Sequence, residues 1–380
     1  MPYSPTVSSD DIARAVLERD DVADFVRGGQ GVSPSDRRQQ VEIVLDELKT
    51  RQRYRIYRAL QHPFYPILRK VERIGEHVER ARDATKHGRV IYVSNHKSHL
   101  DYLIQPIVID DNGLRPPLTV AGINLFGGAL GFIHRHFTGA IPIRRNSKDP
   151  VYLFTLRAYI AEVLKRRDLL FYAEGGRSYS GELKSVKTGL LQAALLGERH
   201  ELAVVPMAIA YDLVLEERIL AREALKKRKR PITQEVAEMV RHAVGYRSRA
   251  FVTFGHPIPL SGFEPGSRRD LVTLVQRVQD DIGKAYKVLP TALVAASLRL
   301  QMTRRELETR VTALIGAVAD EGANLAVRDG ALAADEGVTR LAERGVLVES
   351  DGRVRVRDRL ALRYYARTIQ HLTRSPRKTH

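Results

Sequence analysis

Apolar positions in the first eighty residues recur at helical spacing. Val41, Ile43, Val44, Leu45 and Leu48 form one stripe, and Tyr54, Ile56, Tyr57 and Leu60 extend it. Pro63 and Pro66 interrupt the pattern, and a second helix is predicted through Ile67, Leu68, Val71, Ile74 and Val78. At residue 89 the pattern changes. Arg89–Ser94 is a short β-branched run of the kind that forms a buried strand. Similar runs stand at Leu118–Ala121, Gly139–Ile143, Leu169–Ala173, Ala203–Ala210 and Ala250–Phe254, with helical stretches between several of them, notably 150–166 and 187–197. Strands alternating with helices predict an α/β fold, a mixed sheet flanked by helices. After Pro290 helical spacing returns. Thr303-Arg-Arg-Glu306 reads as a capping box opening a helix with Leu307, Val311, Leu314, Ile315 and Val318 on one face. Val338–Arg344 is a further helix, and Val346–Val348 and Val354–Val356 flank an Asp351-Gly352 hairpin turn. A last helix carries Leu360, Leu362, Tyr364, Tyr365 and Ile369. The expected organisation is a helical N-terminal region at 1–85, the sheet domain at 86–290, and a helical C-terminal region with a small hairpin at 291–380.

Charge adds the question of a partner. Among 380 residues, 62 Lys and Arg face 45 Asp and Glu, a net charge of +17. Nucleic acid, an anionic membrane surface or a phosphorylated substrate would each answer it. There is no cysteine, which excludes disulfides, thiolate metal sites and a Cys nucleophile. Spanning a membrane takes roughly 20 mostly apolar residues. The longest uncharged run, Pro116 to Ile133, is broken by Asn124 and by Gly122, Gly127, Gly128 and Gly131, so no transmembrane helix is expected. The first 25 residues lack a basic stretch followed by an apolar one, and no signal peptide is expected.

Four segments carry chemistry. The first, Ser94-Asn-His-Lys-Ser-His-Leu-Asp101, follows a strand and precedes the apolar helix Tyr102–Ile109. Five residues turn about 500° around a helix, so His96 and Asp101 meet only if His96 lies on the loop and Asp101 in the first turns. Ser98 is a natural N-cap for that arrangement. A carboxylate on one imidazole nitrogen fixes the tautomer and leaves the other nitrogen as a base. The plain alternative is a capped surface loop. The second segment, Leu170–Ser178, runs a strand into Gly175 and Gly176, flanked by Glu174 and Arg177. Glycine permits close approach to a ligand and arginine forks a phosphate; a β-turn with an internal Glu174–Arg177 pair is the alternative. The third, Gly139–Arg145, ends a strand with Arg144 and Arg145, either an anion site or a solvated terminus. In the fourth, Val204–Ile209, Pro206 suggests a strand edge or a bulge. His96 and His99 have spacing for zinc, but no third ligand cluster stands out and no metal is expected.

Together these segments, NHKSHLDY at 95–102, GAIPIRR at 139–145, FYAEGGRS at 171–178 and VVPMAIAYD at 204–212, resemble the four-block pattern of the glycerolipid acyltransferases. The likeness is closest to the membrane-bound glycerol-3-phosphate and dihydroxyacetone-phosphate O-acyltransferases. AGINL at 121–125, VKTGL at 186–190, FGHPI at 254–258 and YYARTIQHL at 364–372 look like the same subfamily. The resemblance covers roughly 85–290 and the tail in outline. It implies that His96 is the catalytic base and Asp101 its partner. It implies that Arg144 or Arg145 contacts substrate phosphate, that Glu174, Gly175, Arg177 and Ser178 bind substrate, and that Pro206 shapes the acyl-donor side. One position departs from the pattern: Tyr179 stands where the subfamily commonly has a second arginine.

The implied reaction moves a fatty acyl group from acyl-CoA or acyl carrier protein to the sn-1 hydroxyl of glycerol 3-phosphate, the first step of phospholipid synthesis. Dihydroxyacetone phosphate and 1-acylglycerol 3-phosphate are the alternative acceptors. No cofactor is implied beyond the thioester co-substrate. The partners implied are an anionic membrane surface, the acyl donor and the phosphorylated acceptor, with the protein peripheral or monotopic at the cytoplasmic face. The 225–230 basic run, Arg374, Arg377 and Lys378 are candidate membrane contacts, and Leu118–Ile133 a candidate contact for the acyl chain. A reading from another class is a basic winged-helix-type nucleic-acid-binding protein, suggested by the charge and by Val338–Val356. It leaves His96, Asp101 and the Glu174–Ser178 loop without a role, so no nucleic-acid partner is expected.

Overall fold

A parallel strand with both faces covered needs a near-continuous apolar run, and Arg89–Ser94 is one: Val90 to Val93 are fully buried. In the computed structural model, which describes residues 8–28, 32–52, 68–123, 126, 138–226 and 246–373, this run lies near the middle of an eight-stranded sheet. The strands are β1 (Val71–Glu76), β2 (Arg89–Ser94), β3 (Leu118–Gly122), β4 (Ala140–Ile143), β5 (Leu169–Tyr172), β6 (Leu202–Tyr211), β7 (Ser248–Phe254) and β8 (Ile258–Pro259). Their order is β1-β7-β6-β2-β5-β3-β4, with β8 beside β6. From β6 to β4 the strands are parallel; β7 is antiparallel to β6, and β1 runs parallel to β7. The sheet is mixed, as the sequence predicts.

One sequence expectation changes. Val71 and Ile74 belong to strand β1, not to a helix, and pair with Ser248 and Phe251. The segment Val-Glu-Arg-Ile-Gly-Glu has one helix-weakening glycine and too few apolar positions for a helical stripe. The following helix starts only at Val78. The sheet therefore recruits chain from residue 71, before the expected boundary at 86. For Pro206 the bulge alternative holds: opposite it the β7–β8 side carries one extra residue, since Met207 faces Phe254 while Val204 faces Ile258. Pro206 sits in the middle of β6, paired with Val93, not at an edge. Its carbonyl accepts the Gly255 N–H at 2.7 Å on the side where β7 has ended and β8 has not begun. The missing N–H of Pro206 points to that gap, so no ladder bond is lost. The expected stripe Tyr54–Leu60, and Pro63, Pro66 and Ile67, lie outside the described residues.

Three N-terminal helices, Ser9–Leu17, Asp20–Arg27 and Pro34–Leu48, cover the helix Pro150–Leu164 on one face of the sheet. The C-terminal region has its own small sheet. The helix Pro290–Ser297 is followed by the strand Gln301–Thr303, the helices Arg304–Asp320 and Gly330–Glu343, and the strands Leu347–Ser350 and Arg353–Val356. The first of these strands lies beside the last, which gives the topology of a winged helix. The Thr303–Glu306 capping box is formed, and Asp351 and Gly352 turn the hairpin at φ of 52° and 66°. The helix in the recognition position is fastened to the main sheet. Arg340 bonds Asp212 at 3.1 Å, and Glu336 pairs with Arg249. It leaves Asp335 and Glu343 exposed. The last long helix, Arg359–Arg367, presses the Tyr364 carbonyl against Gly181, where φ is +86° and any Cβ would lie 2.1 Å from that oxygen. The C-terminal region thus supports the loop that follows β5.

No helix among the described residues is long and apolar enough to cross a membrane. Most of the uncharged stretch beyond Ile123, the basic run after Lys226, and Arg374, Arg377 and Lys378 lie outside the described residues.

Candidate active site

β2 and β5 are adjacent and parallel, with Ser94 beside Tyr172, so the loops leaving their carboxyl ends meet. Crevices at the carboxyl ends of parallel strands are where open α/β sheets bind ligands. Asn95 pins the first loop: its side chain bonds both the N–H and the carbonyl of Ile209 on β6, at 2.7 and 3.0 Å. The loop then closes on Asp101. One carboxylate oxygen, Oδ2, accepts the backbone N–H groups of Lys97 at 2.6 Å and Ser98 at 3.0 Å and lies 2.8 Å from His96 Nδ1. The other, Oδ1, accepts the Tyr211 hydroxyl at 2.7 Å. His96 is on the loop and Asp101 in the first turn of the helix Asp101–Asp111, the only arrangement in which the two can meet. Ser98 is not the formal N-cap, which is Leu100. Its hydroxyl accepts the Leu100 N–H at 3.1 Å and donates to Glu216 at 2.9 Å.

His96 stacks on Tyr172, ring centroids 4.1 Å apart, and its side chain remains 14% exposed. Burial depresses its pKa below the ordinary histidine value, against the pull of Asp101, which raises it. A neutral imidazole with Nδ1 held by a carboxylate has Nε2 available to take a proton.

The second loop is tied to the first. Ser178 donates its N–H to the His96 carbonyl at 2.9 Å and its hydroxyl to the Glu182 carbonyl at 2.5 Å, so it is buried and joins the loops. Gly175 sits exposed at φ +68°, a conformation that strains other residues. Arg177 is buried and turns toward Glu216, with Nη1 at 3.9 Å from Oε1, rather than pairing with Glu174. Glu174 is 5% exposed, and beyond the His96 backbone N–H that approaches it, its carboxylate has no hydrogen-bond partner among the described residues. Burial pushes its pKa up to about 7, opposed by Lys97 and Lys184.

The two arginines that follow β4, Arg144 and Arg145, separate. Arg144 turns to the N-terminal helices, where its guanidinium grips Glu47 through Nε at 2.9 Å and through Nη2. Arg145 faces the second loop, with Nη1 at 3.5 Å from where a Gly176 Cβ would stand. It has no ion-pair partner among the described residues. Arg145 is exposed, but partial desolvation by the surrounding loops, with Arg177 adding, lowers its pKa. The site therefore brings together His96, Asp101, Glu174, Gly175, Arg177, Ser178 and Arg145, and leaves Arg144 outside.

Sequence reasoning missed three members. Tyr211 and Glu216 hold Asp101 and the 98–99 turn from far along the chain, with no local signal. Lys97 sits next to His96 yet is 1% exposed; its Nζ donates to the Gly181 carbonyl at 2.6 Å and lies 5.2 Å from the centre of the Tyr286 ring. A charged residue in a loop reads as solvated unless the fold covers it.

Residues 74–210 match the family model described as Acyltransferase. Over 248 residues, 62% of this chain, the sequence is 32% identical to a protein named glycerol-3-phosphate acyltransferase from Actinobacillus succinogenes, covering 30% of that protein. A protein of the same name from Pasteurella multocida is 32% identical over 252 residues, again 62% of this chain and 30% of its own length. A protein named putative acyltransferase plsB1 from Mycobacterium tuberculosis is 32% identical over 237 residues, 59% of this chain and 38% of that one. The matches thus cover less than half the length of these relatives.

Proposed function

We propose that this chain, whose central domain belongs to the glycerolipid acyltransferase family, transfers a fatty acyl group from a thioester to a hydroxyl of glycerol 3-phosphate. The observation that carries the reading is the Asp101-held, neutral His96 beside a cation pair, Arg145 and Arg177, of which Arg145 lacks a carboxylate. Arg145 and Arg177 hold the acceptor phosphate and so place its hydroxyl near Nε2. Nε2 takes the hydroxyl proton as the oxygen attacks the thioester carbonyl. Asp101 stabilises the imidazolium. Collapse of the tetrahedral intermediate breaks the C–S bond, and the leaving thiolate takes the proton back from Nε2. A base so placed contributes about 10²–10⁴ in rate. No step needs an acyl-enzyme, which suits a chain without cysteine. The donor is acyl-CoA or an acylated acyl carrier protein. The net charge of +17 supports docking on an anionic membrane surface at the cytoplasmic face.

Dihydroxyacetone phosphate and 1-acylglycerol 3-phosphate are the rival acceptors, since Tyr179 stands at the position of an expected arginine and leaves the acceptor open. The nucleic-acid reading gains the winged-helix topology, but the helix that would enter a groove is bound to Asp212 and Arg249 and exposes carboxylates. The test is an acceptor panel assayed with acyl-CoA and with acyl carrier protein. Thioester consumption that requires glycerol 3-phosphate is the expected result. Consumption with another acceptor alone reassigns the substrate, and none with any phosphorylated acceptor overturns the reading.

A further inference from the structure

A cleft of about 650 Å³ opens between the helix Glu217–Lys226 and the C-terminal region, apart from the loops that carry His96 and Glu174. Five arginines line it: Arg218, Arg222, Arg344, Arg357 and Arg359. Two of them form its frame. Arg344 is locked on Glu217 by bonds of 2.7 and 2.8 Å, and Arg218 Nη2 donates to the Arg344 carbonyl at 2.6 Å. Gly345, at φ +70°, lets the Arg218 guanidinium approach, since a Cβ there would lie 3.3 Å from Nη2. The two carboxylates of the lining are already engaged: Glu343 accepts Arg340 at 2.8 Å, and Asp358 lies 3.5 Å from Arg218. Arg222, Arg357 and Arg359 are exposed and have no carboxylate partner among the described residues. Arg222 stands one turn beyond Arg218 on the same helix face. Three uncompensated guanidiniums around one concavity repel each other unless an anion joins them, and planar forks suit phosphate oxygens.

We propose that this cleft binds a phosphate-bearing group, as an anion site separate from the one beside His96. It lies on the carboxyl side of β6. Glu217 holds its frame, while the preceding Glu216 holds Ser98 and the His99 N–H, so one peptide separates the cleft from the support of the His96 loop. The same chemistry is offered by a lipid headgroup and by a soluble phosphate ligand. The size falls within the usual range for ligand sites, about 300–1,000 Å³.

The experiment is a binding measurement that needs no turnover and so stands apart from the proposed reaction. Pyrophosphate is titrated calorimetrically into the full chain in an Arg145→Ala background, which weakens the site beside His96. Co-sedimentation with vesicles of phosphatidylglycerol and phosphatidylcholine is the second arm. The test variant is R222A/R357A/R359A, and the control, with the same charge loss on a distant helix, is R268A/R269A/R277A. Circular dichroism checks that both are folded. The expected result is at least about tenfold weaker binding in the cleft variant than in the control, in one arm or both. Loss in the vesicle arm names the lipid source, and loss with pyrophosphate alone names a soluble one. Equal binding by the cleft variant and the control in both arms overturns the proposal.

Discussion

The Tyr211 hydroxyl reaches Asp101 Oδ1 at 2.7 Å from β6, the strand beside the one that leads to His96. That bond leaves Asp101 Oδ2 for His96 and the two loop amides. Tyr211→Phe should strand a buried carboxylate oxygen. It should cost about 1–3 kcal/mol of stability, read from denaturant unfolding, and lower kcat roughly tenfold with KM nearly unchanged. An unchanged kcat in a destabilised variant would make Tyr211 a packing residue only.

Arg144 and Arg145 are adjacent in sequence and face different partners. Arg145→Ala should raise KM for the phosphorylated acceptor about 10- to 100-fold and leave KM for the donor alone. Arg144→Ala should spare both constants. It should cost at most about 1 kcal/mol, because its pair with Glu47 is partly solvated. Steady-state kinetics with each substrate varied decides between them; the reverse pattern would move the phosphate site to Arg144.

The pH profile follows from the sign of the His96 shift. A histidine base must be unprotonated to act, and the pKa of His96 is depressed by burial. The rate should therefore hold as pH falls through about 6.5, the ordinary histidine value, and decline only below it. Asp101 raises that pKa, so Asp101→Asn should move the acid limb lower still while cutting kcat at least about 100-fold. An acid limb above pH 6.5 would contradict this environment for His96.

Glu174 makes a separate prediction about stability. Its folded pKa of about 7 lies above its unfolded value of 4.5, so the folded state holds the proton more tightly. Its contribution is present below pH 4.5 and is lost as pH rises to about 7. Relative to Glu174→Gln, the parent should lose up to about 3 kcal/mol across that window. Unfolding curves of both proteins at several pH values measure the difference, and parallel curves would place Glu174 in a solvated setting.

What could be read from the sequence was what is local. Runs such as Arg89–Ser94 and Leu202–Tyr211 announce themselves because strands buried on both faces are continuous apolar stretches. The capping box at Thr303 is local too. Strand β1 was not legible, because its helix-like neighbours masked a segment whose partner, β7, lies more than 170 residues downstream: Thr253 bonds Glu76 across 177 positions. The His96–Asp101 pair could be derived from spacing and strand–loop–helix order. The Tyr211 bond spans 110 positions and follows no pattern, and the burial of Lys97 depends on Tyr286 and the loop at Gly181. Pro206 was legible as a strand edge or a bulge, and a bulge is what forms, where β7 stops and β8 begins one residue out of register.

The proposed reaction stands or falls on His96 as the base for acyl transfer to a phosphorylated acceptor. The direct test is the rate of thiol release from an acyl thioester with saturating glycerol 3-phosphate, for the parent and for His96→Ala. Release should depend on the acceptor in the parent and fall at least about 100-fold in the variant, with the same fold by circular dichroism. Acceptor-dependent release at the parent rate from folded His96→Ala would contradict it.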